Sequence, residues 1–528
     1  MLYHRNPLRD WGNYSMPMID RDFLAGRSGE KRNRSTKVMV FAMILIAVLT
    51  LGSVAGLMFQ IGSDKGPHPS ETPVRTPARI FYATHSPISI VGNAEFTTAN
   101  GVSGGSGTAS DPYIIADWDI NATSAHGVWI QDTDAHFTVR NCYVHDGTLG
   151  HIYDGIHTYN CTNGTFENNA CTNNEYGIWL EGSSNNALRN NTCISDEYDG
   201  IFLYEFSNNN CMVNNTCTDS YGGIGLYSSY NNVINNNTCS GNSEGIYLED
   251  SDHNILSYNN CTANYADGIS FDNASNNTLN DNYCSNVEWG IELRWSRNNT
   301  LVGNNCSANG NDGIILGQSS NNNTLVSNRC CWNNYNGIDV VSSRDNTLVS
   351  NDWISNGYDG AYIGYSTNNT LDSNNCSSNN RWGIQIRGSS GNVMLRNQLC
   401  DNLQYGMYIY DVSSYNIAFN NTFIGNNGAG STYDSGHVQA YDEGTNNWWN
   451  STDGYGNYWS DWTAPDVNPP YGIVDEPYNI SGSAGAKDYY PLTTEPPTPI
   501  PEFGIMPFVV VLMATIVLIL GTRRRKAR

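Results

Sequence analysis

The sequence predicts an all-β fold, a right-handed parallel β-helix of roughly 13 coils. Three observations predict it: a glycine followed by an apolar residue recurs every 22 to 24 residues, a cysteine recurs with the same period, and no window has the 3.6-residue periodicity of a helix. A repeat this short and this regular is typical of a solenoid. The repeat glycines are Gly155, Gly177, Gly200, Gly223, Gly245, Gly268, Gly290, Gly313, Gly337, Gly360, Gly383 and Gly406.

One repeat, residues 290–312, shows how a coil is built. Residues 290–293 alternate apolar and polar side chains as a half-buried strand does, residues 296–299 form a turn signal, and residues 300–302 form a second short strand. After a further turn, Cys306 points back inward. A leucine-rich-repeat solenoid has a similar period, but its Leu-x-x-Leu-x-Leu pattern is absent here.

Strands this short must stack on their equivalents about 4.8 Å away to bury a face. The interior is therefore expected to consist of columns of like residues, and stacked asparagines at the turns can bond along the axis. The cysteines are expected to form one buried column of free thiols, because parallel neighbours rarely meet the dihedral angle of a disulfide. The predicted column contains Cys142, Cys171, Cys193, Cys217, Cys239, Cys261, Cys284, Cys306, Cys330, Cys376 and Cys400, with Trp353 in one position.

The charge of the chain is unevenly distributed. The protein has 26 Lys and Arg against 50 Asp and Glu, and residues 1–37 and 522–528 together carry 13 of the basic residues but only 4 of the acids. The remaining part has a net charge of −33. Such a surface repels phosphate backbones, which argues against a nucleic-acid partner and favours cations or neutral and basic glycans.

Two apolar runs lie near the ends of the chain. The run at 38–62 follows a basic leader, 1–37, and is long enough to span a bilayer, with a cleaved signal peptide as the alternative. The run at 504–521 precedes a basic tail, 522–528. Because positive charge stays in the cytoplasm, we expect both termini there before processing, transmembrane helices at both runs, and the acidic body at the cell surface. Between the runs we distinguish a linker (63–84), the β-helix with its N-terminal cap (85–420), a Trp- and Tyr-rich C-terminal cap (421–492) and a Pro/Thr-rich spacer (493–503).

Motifs at both ends of the repeat region resemble known families. The Gly- and Ser-rich residues 100–108 and the Asp-Pro-Tyr-Ile-Ile of 111–115 are similar to the opening of archaeal surface β-helix proteins, and Gly-Asn-Tyr-Trp-Ser-Asp at 456–461 resembles the tail of NosD-type periplasmic proteins. The repeat itself resembles the pectate-lyase-like class of carbohydrate-binding and sugar-hydrolase β-helices. These resemblances imply glycan partners and copper or calcium as candidate cofactors, although residues 466–470 depart from the calcium-like loop of such tails.

The C-terminal segment resembles an archaeal sorting signal. Pro501-Glu502-Phe503-Gly504 precedes the apolar run, and the basic cluster follows it. The resemblance implies cleavage by a membrane sortase. A permanent anchor is the alternative.

One face of the predicted helix combines aromatic rings with carboxylates, as a sugar-binding surface requires. Counting from each repeat glycine, positions +1 and +3 face inward and +2 and +4 face outward. An ordinary solvated sheet is the alternative interpretation. The candidate ligand-binding residues are Trp179, Glu181, Tyr247, Arg294, Tyr362 and Tyr408.

Three carboxylates on consecutive coils, Glu249, Asp272 and Glu292, are candidate catalytic residues. Steps of one coil separate carboxylates by roughly 5–10 Å, the range used in glycoside hydrolysis. The neighbouring Arg294 could orient a substrate acid or assist lyase chemistry.

A histidine-rich segment, 126–157, is the candidate metal site. His and Asp suit copper or zinc, and the candidate ligands are His145, His151, His157 and Asp146. The sequence as a whole favours a cell-surface protein that binds glycans or envelope components. A polysaccharide hydrolase or lyase and a NosD-like copper-binding maturation protein remain as alternatives, so enzymatic activity stays open.

Overall fold

The structure, a computed structural model, describes residues 82–148 and 152–496. These residues form a parallel β-helix of the right-handed type, which confirms the predicted fold class. The chain passes in each coil through three sheets, here called sheets 1, 2 and 3. Apart from the first pair of sheet 2, all neighbouring strands within the three sheets run parallel.

Sheet 1 contains the strands that follow the repeat glycines. Its 15 strands are Ile88–Val91, Val128–Thr133, Ile156–Cys161, Ile178–Glu181, Asp199–Tyr204, Gly222–Tyr227, Glu244–Glu249, Ile269–Asp272, Ile291–Arg294, Ile314–Gly317, Ile338–Val341, Ala361–Gly364, Ile384–Arg387, Met407–Tyr410 and Ala440–Asp442.

Sheet 2 follows sheet 1 in each coil. Its 15 strands are Val102–Gly104, Tyr113–Ala116, Phe137–Arg140, Gly164–Glu167, Ala187–Arg189, Cys211–Val213, Val233–Asn235, Ile255–Ser257, Thr278–Asn280, Thr300–Val302, Thr324–Val326, Thr347–Val349, Thr370–Asp372, Val393–Leu395 and Ile417–Phe419.

Sheet 3 closes each coil. Its first nine strands are Ala83–His85, Trp118–Asn121, Tyr143–His145, Ala170–Thr172, Thr192–Ile194, Thr216–Thr218, Thr238–Ser240, Asn260–Thr262 and Tyr283–Ser285. Single bridges continue the sheet from Tyr283 to Gln398, and it ends with Gln398–Cys400, Thr422–Ile424 and Tyr458–Trp459. An antiparallel pair, Tyr478–Asn479 and Lys487–Asp488, belongs to the C-terminal cap.

The helical content of the described residues is limited to three short 3-10 turns, Asn93–Glu95, Thr98–Asn100 and Asn426–Gly428. Within 82–148 and 152–496, no helix is long and apolar enough to cross a membrane. The apolar runs predicted at 38–62 and 504–521, the basic leader and the basic tail lie outside the described residues.

The repeat glycine is required by a close approach between coils. A Cβ atom at Gly245 would lie 2.4 Å from the carbonyl oxygen of Gly268 and 3.0 Å from the Cβ of Cys261, both on the next coil. The other repeat glycines meet the same kind of contact, so any side chain here would push neighbouring coils apart. The recurrent glycine of the sequence is therefore required because adjacent coils leave no room for a side chain at that position.

The thiol column is confirmed, with two corrections. The column residues Cys171, Cys193, Cys217 and Cys239 are in register and fully buried, and all 14 cysteines are free. Val144, and not Cys142, is the register partner of Cys171, so Cys142 is buried beside the column. Leu399 occupies the position predicted for Cys400, because the strand Gln398–Cys400 turns Leu399 inward and leaves Cys400 partly exposed.

Buried asparagines form three ladders, one at each turn of the coil. In one ladder, the Oδ1 of Asn191 accepts hydrogen bonds from the backbone N–H and the side-chain amide of Asn169, at 3.1 and 3.0 Å, and its own amide donates to the carbonyl of Phe166 at 3.0 Å. The pattern repeats from coil to coil down to Asn457. Each ladder asparagine is nearly or fully buried, so these bonds also satisfy groups that water cannot reach.

The C-terminal end of the interior is covered by stacked aromatic rings. Trp459 stacks on Phe423 at 4.1 Å between ring centres, and Tyr478 stacks on Trp459 at 4.0 Å. Trp449 packs beside them, and all four rings are buried. These residues continue the apolar column beyond the last regular coil and close its open end.

Asp196 takes the place of an asparagine in the ladder that runs from Asn174 through Asn242 and Asn264. Its Oδ1 accepts hydrogen bonds from the backbone and side-chain amides of Asn174, but its buried Oδ2 has no hydrogen-bond partner among the described residues. The equivalent asparagine, Asn264, donates from this position to the carbonyl of Cys239. Burial raises the pKa of Asp196 well above its ordinary value. Only the protonated carboxyl can donate a hydrogen bond at this position.

Replacing Asp196 by Asn should stabilise the protein by about 1–3 kcal/mol at pH 7, because the amide supplies the missing donor. In the folded protein Asp196 keeps a proton that the unfolded chain releases above about pH 4. The free energy of unfolding of the wild type therefore falls as the pH rises from about 4 through the raised pKa of Asp196. The gain in Asp196→Asn should therefore be small at pH 4 and grow with pH. Melting temperatures measured between pH 3.5 and 8 test this.

The reciprocal change, Asn264→Asp, is the matched control in the same ladder. It should destabilise the protein at pH 7 and less so at pH 4. An Asp196→Asn protein that melts at or below the wild-type temperature at pH 7 would contradict this account of the ladder.

Candidate functional site

The outer face of sheet 1 carries vertical rows of side chains. They lie at the position before each repeat glycine and at the second and fourth positions after it, here called the −1, +2 and +4 rows. Ile178 and Leu180 are fully buried, whereas Trp179 and Glu181, which alternate with them, are partly exposed. The predicted inward and outward positions are therefore confirmed for this sheet.

The −1 and +2 rows converge into one strip. Nδ1 of His157 in the +2 row lies 2.8 Å from Oδ2 of Asp154 in the −1 row. Tyr247 in the +2 row lies two coils after Asp199 in the −1 row, and its hydroxyl donates a hydrogen bond of 2.7 Å to Oδ2 of Asp199. Side chains from the two rows can therefore meet on one coil or across coils, and they act chemically as one surface.

Aromatic rings occupy the N-terminal part of the strip. His157 lies 4.5 Å from Trp129 and stacks on Trp179 at 4.2 Å between ring centres, and Tyr204 stacks on Tyr227 at 5.2 Å. We call this set the N-terminal aromatic ladder, which consists of Trp129, His157, Tyr176, Trp179, Phe202, Tyr204 and Tyr227.

A second set of rings occupies the C-terminal part. Beside the strip, two residues before their repeat glycines, Tyr335 and Tyr358 are 46% and 40% exposed and stack at 4.9 Å with an angle of 5° between their planes. The Arg381 guanidinium lies 3.8 Å from the ring centre of Trp382, and Trp382 packs on Tyr408 at 4.5 Å. We call this set the C-terminal aromatic ladder, which consists of Tyr335, Tyr358, Trp382, Tyr405, Tyr408, Tyr410 and Tyr441.

The central acid cluster consists of Glu244, Asp267, Glu292, Asp312, Asp339 and Asp359. It follows the N-terminal ladder, and its last two members, Asp339 and Asp359, share the coils of Tyr335 and Tyr358 at the start of the C-terminal ladder. Burial raises the pKa of Asp267 well above its ordinary value, and the negative charges of Glu292 and Glu244 raise it further, against the opposing effect of Arg294. Burial likewise raises the pKa of Asp359 to about 7. The middle of the strip therefore contains carboxyl groups that hold protons near neutral pH.

A compact group of potential metal ligands lies at the N-terminal end of the strip. One atom each of His126, Asp154 and His157 lies within 4.8 Å of the others, the one such group among the described residues. Burial alone would lower the pKa of His157, but hydrogen bonds to Asp154 and Glu181 raise it. Burial alone would raise the pKa of Asp154, and its hydrogen bonds to the two histidines lower it instead.

The structure brings together only part of the predicted metal set. His157 joins His126 and Asp154, whereas His145 lies on sheet 3. The ring nitrogens of His145 contact Asp146 at 2.7 Å and Asp119 at 2.9 Å. His151 lies outside the described residues.

The predicted ligand-binding residues all lie on the outer face of sheet 1. Successive register pairs place Trp179, Tyr247, Tyr362 and Tyr408 in the +2 row, and Glu181 and Arg294 in the +4 row. Because the rows run parallel to the axis, these residues line one continuous surface.

The three predicted catalytic carboxylates occupy two rows. Glu249 and Asp272 are register neighbours in the +4 row, and Arg294 is the next residue of that row. Glu292 lies in the +2 row, is only 7% exposed, and accepts a hydrogen bond from Nε of Arg294 at 2.6 Å. The predicted trio is therefore spread over two neighbouring rows.

Sequence reasoning from the +2 and +4 positions missed the −1 row. The aspartates of that row lie directly before repeat glycines and are nearly or fully buried. A recurrent Asp-Gly dipeptide was the available signal. It occurs at Asp154, Asp199, Asp267, Asp312 and Asp359.

The tail loop considered for calcium is closed by internal hydrogen bonds. Asp475 accepts from the backbone amides of Val467 and Asn468, and Asp466 accepts from that of Gly472. The group of potential metal ligands described above does not include this loop.

The fold and the outer face define the class: a β-helix repeat protein with rows of polar and aromatic side chains on one outer face. The sequence profile of the NosD family, described as periplasmic copper-binding protein, matches residues 117–288 and 265–464. Because these matches cover more than half of the chain, the protein belongs to the NosD family. No curated protein matches the sequence.

Solved structures that resemble the chain include two epimerases and a tailspike protein. The periplasmic alginate epimerase AlgG is 17% identical, with 63% of this chain and 84% of that chain covered and a TM-score of 0.41. The A-module of the Azotobacter vinelandii mannuronan C-5 epimerase AlgE4 is 12% identical, with 58% and 85% covered and a TM-score of 0.36. The Dettilon tailspike protein is 15% identical, with 53% and 60% covered and a TM-score of 0.35.

Proposed function

We propose that the protein binds polysaccharide chains lengthwise along the outer face of sheet 1. The observation that carries the proposal is the order of groups along this face: an aromatic ladder, an acid cluster and a second aromatic ladder. Ring faces contact the C–H surfaces of sugars, and carboxyl groups hydrogen-bond their hydroxyls. A linear glycan parallel to the helix axis would meet both kinds of group.

The charge of the protein favours a neutral or basic glycan. The chain carries a formal net charge of −24, and the acids are concentrated between the two basic ends. The few arginines of the face are already engaged by acids, as Arg294 is by Glu292 and Arg381 is by Asp359. The negative charge of the protein would therefore repel a polyanionic glycan, and the paired arginines of this face would not offset that repulsion.

We also propose that the protein acts outside the cytoplasm, anchored at the cell membrane and facing envelope glycans. The two apolar runs with their basic flanks support this location, and the family is described as periplasmic. Processing by a sortase at Pro501-Glu502-Phe503 is part of the same proposal.

Replacing an aromatic residue of either ladder should weaken glycan binding. We expect Trp179→Ala and Trp382→Ala each to weaken binding of the best neutral oligosaccharide on a glycan array about tenfold, equivalent to about 1.4 kcal/mol. The reason is the loss of one stacking surface. Isothermal titration calorimetry with the full-length protein measures the change.

Tyr283→Ala is the matched control, because Tyr283 is an exposed aromatic residue on sheet 3, away from the strip. It should bind like the wild type. Equal weakening by all three variants, or no binding of any neutral or basic glycan by the wild type, would contradict the proposal.

A second candidate function is copper binding, favoured by the group of His126, Asp154 and His157 and by the description of the family. Two imidazole nitrogens and a carboxylate oxygen suit Cu(II). Asp154 is fully buried and ionised next to both histidines, so the donor set fits a cation. These three residues would hold the metal, which would supply a redox-active or Lewis-acidic centre when bound.

We expect His126→Ala and His157→Ala each to lower the affinity for Cu(II) by at least about 100-fold, because each removes a ligand. Titration calorimetry gives the affinity, and the nitrogen hyperfine coupling in electron paramagnetic resonance reports how many imidazoles bind.

His437→Ala serves as the control, since His437 is exposed and pairs with Asp434 in the C-terminal region. Copper affinity that depends on His145 and not on His126 would place the site at the cluster with Asp119 and Asp146, against this proposal.

A further inference from the structure

Asp267 differs from the other aspartates of the −1 row. It is 6% exposed, and within the described residues its buried Oδ1, like that of Asp199, has no hydrogen-bond partner. The side chains of the other −1 aspartates are engaged: Asp154 by His157, Asp199 by Tyr247, Asp312 by the backbone of Asn336, and Asp359 by Arg381. The solenoid gives Asp267 no comparable structural contact.

Glu292 is placed to work with Asp267. It lies on the next coil in the +2 row, and this row meets the −1 row elsewhere, at Asp154 with His157 and at Asp199 with Tyr247. Nε of Arg294 donates a hydrogen bond of 2.6 Å to Glu292, a contact that favours a carboxylate over a carboxylic acid. The negative charge of Glu292 in turn helps to keep Asp267 protonated.

Two neighbouring carboxyl groups with opposite protonation states are what glycoside hydrolysis requires. We infer that Asp267 and Glu292 are the general acid and general base of a hydrolytic centre for neutral polysaccharides, midway along the strip. The inference rests on the proposed glycan binding and extends it from binding to cleavage.

The position of the pair fits an enzyme that cuts within a chain. The N-terminal aromatic ladder lies on one side along the axis and the C-terminal ladder on the other. From the coil of Tyr227, the last of the N-terminal ladder, to that of Tyr335, the first of the C-terminal ladder, there are five steps in the register, or about 24 Å at the spacing of parallel strands. Sugar rings bound on both ladders would hold the linkage between them over the acid cluster.

The reaction consumes one water and yields two shorter glycans. The Asp267 carboxyl donates its proton to the glycosidic oxygen, and the bond between that oxygen and the anomeric carbon breaks with the electron pair leaving on oxygen. Water adds to the anomeric carbon, and Glu292 accepts the proton that the water loses. Proton exchange with solvent then restores the protonated Asp267 and the ionised Glu292.

The test measures binding and cleavage separately in the full-length protein. The probes are reducing-end-labelled cello-, xylo-, laminari- and malto-hexaose in ¹⁸O-water, with products identified by mass spectrometry and binding followed by calorimetry. We expect the wild type to cleave a hexaose that it binds, with ¹⁸O at the new reducing end. Asp267→Asn and Glu292→Gln should lower the rate at least about 100-fold with unchanged affinity.

Two further measurements separate chemistry from folding. Glu167→Gln, on sheet 2, should cleave at the wild-type rate. Added formate should restore part of the rate of Glu292→Ala, which a purely structural role for Glu292 would not allow.

Three results would overturn the inference. A wild-type protein that binds a hexaose without cleaving it refutes the hydrolytic centre and leaves the proposed glycan binding standing. Cleavage that persists in Asp267→Asn, or that depends on Glu249 or Asp272 instead, refutes the assignment of the pair. A wild type that neither binds nor cleaves any of these neutral probes refutes the inference, and glycan binding falls with it when the array of neutral and basic glycans also shows no binding.

Discussion

The buried hydrogen bond from one asparagine to the asparagine of the next coil holds this molecule in register. Each ladder amide accepts from the backbone of the preceding coil and donates to a carbonyl there, as Asn191 does with Asn169 and Phe166. With a ladder at every turn, a coil cannot slip by one residue without leaving buried amides unsatisfied. The fixed register keeps the inward columns apolar and aligns the −1, +2 and +4 rows on the outside.

The constraint also explains what the sequence could predict. The period of glycines, cysteines and asparagines expresses contacts between equivalent positions of adjacent coils, so the fold, the buried thiols and the outward rows followed from spacing. The two errors in the thiol column arose where the inward-facing residue of a strand is not the cysteine that the spacing predicts. Val144 and Leu399 take positions expected for Cys142 and Cys400 because the side chain that faces inward depends on the turn before the strand.

The candidate sites were only partly predictable, because they depend on contacts between rows. Alternation along a strand places Glu292 and Trp179 on the outer face, but it does not show that the −1 row leans toward the +2 row. Asp267 was therefore missed, and Asp154, although within the candidate metal segment, was not among the predicted ligands; each precedes a repeat glycine. The pairing of His157 with His126 and Asp154, and not with His145, required the three-dimensional arrangement of sheets 1 and 3.

The two proposed activities share a residue. His157 belongs to the group of potential copper ligands and to the N-terminal aromatic ladder, where it stacks on Trp179. A metal held by its imidazole would alter the charge and the orientation of a ring that a glycan meets at that end. Copper and carbohydrate are thus not independent ligands on this face, and occupancy by one changes the surface offered to the other.

The thiol column has a consequence for the lifetime of the protein. While the coils are stacked, the column thiols are sealed from solvent, and desolvation keeps most of them protonated and inert. Once the stack opens, 14 cysteines are exposed together with no native partner assigned to any of them. Under oxidising conditions they would join at random, and refolding would be blocked. The same residues that tighten the interior thus make unfolding in air hard to reverse, so the lifetime of the folded protein under oxidising conditions depends on how slowly the coils separate.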